Sequence, residues 1–167
     1  MATRKPVRKF VNAPEVFEPR HFTHAVSVSG GKLVFLSGQV SYDVEGKVVG
    51  KGDFRAQCER VMECIGHNLA AAGAGFHDVI KVNAYVVRSS PDAIRTFREV
   101  RERFFDPAQL PASTLVGVES LAHEDLLIEV EVVACVQDRP AVRKPKAARR
   151  ARPGARTVHG PKKRVRA

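Results

Sequence analysis

Two carboxylates near the end of the sequence, Glu129 and Glu131, alternate with Ile128, Val130 and Val132, which places both on one face of a strand. Three cysteines, Cys58, Cys64 and Cys135, are an odd number, and the first two share a predicted helix without metal-ligand spacing. Neither a disulfide framework nor a zinc module fits, and a reducing, cytoplasmic setting is the default expectation. Cys135 sits in an apolar strand with no histidine spaced to activate it, so it reads as a buried, inert thiol. His24, ahead of the first predicted strand, is of a residue type that serves in acid–base chemistry, and Arg88 is a cation at a strand end. A Gly-rich phosphate loop, an HExxH helix and a Ser/His/Asp ordering are all missing from the sequence.

The elements that must carry these residues follow from periodicity. Ala25–Val28 and Lys32–Leu36 are β-type runs, and Ser29-Gly30-Gly31 between them predicts a hairpin. Ser37-Gly38-Gln39 ends the second run. Asp53 is an N-cap for a helix in which Phe54, Cys58, Val61, Met62, Ile65 and Leu69 recur at three and four, closed by Gly73. In Asp78–Val87, residues Ile80, Val82, Ala84 and Val86 alternate with Val79, Lys81, Asn83, Tyr85 and Val87, which predicts a strand with one packed face. Ser90 and Pro91 open a second helix striped by Ile94, Phe97, Val100 or Arg101, and Phe104, stopped at Asp106-Pro107. Ser113–Val118 and Leu126–Val136 are the last strands. The order predicts an α+β protein with two helices on one face of a mixed β-sheet. The other face, carrying Glu129, Glu131, Val133 and Cys135, then has nothing of its own to cover it, and an oligomer is expected.

Charge divides the chain differently. It holds 28 Lys plus Arg against 18 Asp plus Glu, a formal net of +10. Twelve of the bases and only one acid fall in residues 138–167, leaving 16 bases against 17 acids elsewhere. The basic character therefore belongs to the ends: an N-terminal extension, residues 1–10, and a Pro-interrupted Lys/Arg-rich tail, residues 138–167, expected to be disordered. Such a tail attracts nucleic acid through counterion release, without sequence preference and without aromatic residues to stack bases. Residues 11–137 are expected to form the single folded domain. No apolar run reaches the roughly 20 residues of a membrane-spanning helix, so no membrane association is expected, and the N-terminus lacks the apolar core of a secretory signal.

Several strings, taken together and in order, resemble the RidA/YjgF/YER057c/UK114 family, called endoribonuclease L-PSP in older usage. They are Ser37-Gly38-Gln39, Ala71-Ala72-Gly73 after the first helix, Asp78–Val82, Phe104-Phe105, Pro111-Ala112 and Leu127–Glu131. The resemblance covers about residues 11–136. It implies a chorismate-mutase-like subunit and a homotrimer whose sheets form a central barrel, with clefts at the subunit boundaries. It also implies hydrolytic deamination of small enamines and imines, with no cofactor or metal. Glu129 matches the glutamate taken to orient the attacking water, and Phe22 matches a cleft tyrosine, with His24 close by. Ser113 stands where active members have the arginine that grips the substrate carboxylate. By that resemblance Ser113 and Thr114 hold the substrate through hydroxyls and backbone, or another cation substitutes, with Arg88 and His21 or His24 candidates by position, or the chain binds a metabolite without turning it over.

Overall fold

A computed structural model describes residues 5–137; the tail expected over 138–167 lies outside the described residues. Six strands and two helices follow in the order β1 (Val7–Val11), β2 (Ala25–Ser29), β3 (Lys32–Gln39), α1 (Phe54–Ala71), β4 (Val79–Val87), α2 (Pro91–Glu102), β5 (Ala112–Val118) and β6 (Ile128–Val136). Four strands form a mixed sheet in the order β3-β6-β4-β5. β5 runs parallel to β4, and β6 lies antiparallel to both β3 and β4.

Both helices start as their sequences require. The Asp53 carboxylate accepts from the Ala56 amide and the Ser90 hydroxyl from the Ala93 amide, each satisfying an amide the first turn leaves free. Gly73 takes φ 76° just past α1, where a side chain would be strained. Cys58, Val61, Met62, Ile65 and Leu69 of α1 and Phe97 and Val100 of α2 pack against Val82, Ala84, Val86, Ile128, Val130 and Val132. The apolar stripes thus meet the sheet on one face only.

Three expectations are corrected. The strands flanking Gly30 and Gly31 do not pair as a hairpin. β2 pairs with β1 in a separate two-stranded sheet, while β3 enters the main sheet beside β6, with Val34 opposite Ala134. Positive φ at both glycines turns the chain from one sheet to the other. A β-rich run before position 11 supplied the competing partner. Residues 7–10, read as part of a basic extension, are therefore strand. Arg8 donates to the Asp78 carboxylate at 2.6 Å, to the His77 carbonyl, also at 2.6 Å, and to the Cys135 carbonyl. Third, the pairing of β4 with β6 shifts between Val79 and Lys81, which turns Val79 rather than Ile80 into the core.

The Arg8–Asp78 pair is largely removed from solvent, so removing one partner strands the other. Arg8→Leu is expected to lower the unfolding free energy by about 2–3 kcal/mol, read as a shift of the urea midpoint with an unchanged slope.

On the uncovered face of the sheet stand Leu33 and Phe35 of β3, Lys81, Asn83 and Tyr85 of β4, Thr114 and Val116 of β5, and Glu129, Glu131 and Val133 of β6. Phe35 is 72% exposed there, and Leu33 and Val116 are also exposed. No helix among the described residues is long and apolar enough to cross a membrane.

Candidate active site

The strand register decides which candidate residues meet. Ser113 pairs with Val82, whose side chain is in the core, so its hydroxyl points to the helix-covered face. Thr114 pairs with Asn83 and faces the other way, where its hydroxyl accepts from the Lys81 ammonium at 2.7 Å. Glu129 pairs with Tyr85 and also stands on the uncovered face. Ser113 and Glu129 are thus on opposite faces of one sheet, with about 10 Å between their rows along β4. Within one protomer no small ligand touches both.

On the covered face Ser113 meets a cation. Arg101 falls four residues after Phe97 in the apolar stripe of α2 and is only 6% exposed. Its Nη1 donates to Ser113 Oγ at 3.2 Å, its guanidinium lies 5.3 Å from the centre of the Phe105 ring, and its buried Nη2 has no hydrogen-bond partner. Burial first, and Arg98 second, push the guanidinium down to about 10, with Glu102 opposing. It remains protonated at neutral pH. Because the unfolded chain holds this proton more tightly, the buried charge weakens the fold at every pH below about 10, and only above that does rising pH relieve the cost.

Two adjoining cavities share Arg101 and Arg98 as walls. One, of about 220 Å³, is bordered by Arg20, His21, Glu102 and Phe105; the other, of about 390 Å³, by Phe22, Ser113 and Leu115. Residues 20–24 reach this place because Thr23 is fixed beside the start of β5. Its amide donates to the Pro111 carbonyl at 3.2 Å and its hydroxyl to the Leu110 carbonyl at 2.7 Å. The acid in the smaller cavity is already engaged: Glu102 lies 3.0 Å from His21 Nδ1.

The uncovered face holds the carboxylates. Glu131 accepts from Asn83 at 2.6 Å and from the Tyr85 hydroxyl at 3.1 Å, and that bond is the main reason the Tyr85 pKa is raised. Glu129 lies directly on Gly38: a Cβ on that glycine would come within 1.6 Å of Glu129 Oε1. The glycine of the Ser37-Gly38-Gln39 string makes the room in which the Glu129 side chain lies.

Of the remaining candidates, Phe22 borders the larger of the two cavities, while His24 and Arg88 lie outside both. Phe22 joins Phe17 and His24 in an edge-to-face aromatic group, at 6.0 and 5.2 Å. The His24 ring is bonded to the Phe17 carbonyl at 2.9 Å, so it is a satisfied loop residue. Arg88 takes φ 47° in the turn after β4 and lines a different cleft with Glu119 and His123. Its row is six residues along β4 from Ser113, about 20 Å. The cation that sequence reasoning missed is Arg101. Its signal was a base at a stripe position, where an apolar residue was expected.

Cys58 is sealed in the core, and burial pushes its thiol up to about 12; Cys135 is buried too, and its thiol is also raised by burial. A thiol reagent is expected to label the native protein at Cys64 alone, with Cys58 and Cys135 reacting only after denaturation, as peptide mapping would read. Among the described residues no three His, Cys, Asp or Glu side chains are grouped to hold a metal ion.

Comparison with known proteins places this arrangement. The sequence model described as endoribonuclease L-PSP matches residues 12–136. The chain belongs to this family, the RidA/YjgF family. It is 35% identical over 122 residues to a RutC family protein of Pyrococcus abyssi, covering 73% of this chain and 90% of the relative. It is 32% identical over 128 residues to the 3-aminoacrylate deaminase RutC of Acinetobacter baylyi, covering 77% and 98%. Among solved structures it is similar to a protein of unknown function of the conserved Rid family from Yersinia pestis, with TM-score 0.73, 33% identity and coverage of 77% and 98%. The two-helix, mixed-sheet architecture is that of Rid-family structures.

Proposed function

We propose that this Rid-family chain is a hydrolase that deaminates a small enamine or imine, and that it works as a homotrimer. The observation that carries this reading is Glu129. Its carboxylate is held against Gly38 on a sheet face that offers exposed Phe35, Leu33 and Val116 to a neighbour. The name of the Acinetobacter relative, a deaminase of an enamine, supports the same reaction class.

The chemistry asks little of the protein. An enamine takes a proton on carbon to give the iminium ion. Water adds to the imine carbon while a carboxylate takes its proton, and the carbinolamine collapses to a carbonyl compound and ammonia. Nothing is oxidised or reduced. In this scheme Glu129 orients the water and accepts its proton, a role that general-base groups fill with about 10²–10⁴-fold effect. Three copies with their uncovered faces turned inward would remove Phe35 and Leu33 from water, and a neighbour seated over the β5 edge of the sheet, where Ser113 borders a cavity, would bring its Glu129 to that cavity. The test is ammonia release from 2-aminoacrylate generated in situ, on protein whose trimeric mass has been established by light scattering. Acceleration over the protein-free rate is expected; a trimer that accelerates the loss of no enamine or imine offered contradicts the reading.

The last 30 residues, with twelve bases and one acid, support a second activity carried by the same chain. Full-length protein is expected to bind short RNA with an affinity that falls steeply with salt, and a chain ending at Gln137 is expected to lose that binding. Equal affinity of the two chains would exclude the tail from the interaction.

A further inference from the structure

We infer that Arg101, from helix α2, is the ligand-binding cation of this protein, and that its ligand is a small carboxylate held between α2, the start of β5 and the segment 20–24. The inference deepens the deaminase reading by naming the substrate class, a carboxylate-bearing enamine or imine, and rests on that reading only for turnover.

A guanidinium with a buried, unpartnered N–H is a costly thing to keep in a fold. Ser113 uses one N–H of Nη1 and fixes the plane of the group. Phe105 supports its face. Neither neutralises it. The charged groups bordering the two cavities are Arg20, His21, Arg98 and Glu102, and the one acid among them is paired with His21. Arg98 therefore adds to the positive potential rather than cancelling it. A planar, fixed guanidinium that lines both cavities, its charge only partly offset by Glu102, matches the two oxygens of a carboxylate, which would take that charge and, with a small shift of the side chain to open the enclosed Nη2, its unpartnered donor. Ser113 then has a definite part: it is a positioning residue, orienting the guanidinium from the position that the resemblance gives to an arginine.

A purely structural arginine would predict the opposite of what we expect on replacement. Arg101→Met keeps length and apolar contact while removing a buried charge, so the melting temperature is expected to hold or rise. Binding is expected to collapse. The probes are 2-oxobutanoate and its neutral amide, titrated by calorimetry into the full-length protein. Wild type is expected to prefer the acid by at least about tenfold. Arg101→Met should weaken acid binding by at least about tenfold and leave amide binding unchanged. Arg101→Lys, which keeps the charge without the fork, should fall between the two, and Arg88→Met should bind as wild type. Equal acid affinity in wild type and in either Arg101 variant overturns the inference, as does a wild type that fails to bind the acid or to distinguish it from the amide. Should ammonia release persist undiminished in Arg101→Met, the deaminase reading survives and this inference falls. Should the acid bind through Arg101 with no enamine turned over, the reverse holds.

Discussion

Glu129→Gln is expected to lower kcat for enamine deamination by about 10²–10³-fold while leaving KM and the melting temperature close to wild type. Gln keeps the shape and loses the base. Gly38→Ala is the companion variant. Its added methyl would stand 1.6 Å from Glu129 Oε1, 2.5 Å from Cδ and 2.8 Å from Cγ, so the whole side chain must swing away. Glu129 is half-buried and its side chain has rotatable bonds that can carry it off the methyl, so the fold should lose little. Turnover should fall nearly as far as in Glu129→Gln, with KM again unchanged. Stopped-time ammonia assays alongside thermal melts separate the two effects. A Gly38→Ala protein with full kcat would show that the carboxylate's seat has no part in catalysis.

Ser113→Arg is expected to destabilise the protein by about 2–4 kcal/mol and to abolish carboxylate binding, although the family resemblance implies an arginine there. The reason is local. Ser113 Oγ lies 3.2 Å from Arg101 Nη1 on the covered face, so an arginine at 113 sets a second guanidinium against one already buried. Combining Ser113→Arg with Arg101→Met should recover most of the stability and some binding of 2-oxobutanoate, because the single cation then stands on β5 instead of α2. Non-additivity of that size marks the two positions as alternatives for one function. If the two substitutions simply add, the residues are independent and the exchange did not occur.

Much of the frame was legible because it rests on local rules. Asp53 and Ser90 cap helices since each precedes an apolar period and accepts an amide three residues on, and Gly73 stops α1 because only glycine enters its conformation cheaply. The Glu129/Glu131 face followed from strict alternation. What failed depended on partners far along the chain. Ala25–Ser29 and Lys32–Gln39 look like a hairpin locally, but β1 and β6 offered longer pairings, and two glycines allowed the turn to open. Val79 went to the core because of a register shift no single strand reveals. Arg101 was hidden by its own position: in a stripe shared with Phe97 it reads as a helix residue, and its meeting with Ser113 depends on how α2 lies over β5. The opposition of Ser113 and Glu129 across the sheet likewise needs the register of three strands at once.

In the proposed homotrimer, Arg101 of one protomer and Glu129 of its neighbour serve the same cleft. Differently tagged Arg101→Met and Glu129→Gln chains, each nearly inactive alone, can be co-expressed and mixed assemblies purified through both tags, then assayed for ammonia release. Every trimer that carries both tags has one cleft in three with both native groups, so activity near a third of wild type is predicted. Mixed assemblies no more active than either parent would contradict the claim, because they contain every native group and lack only a protomer carrying both.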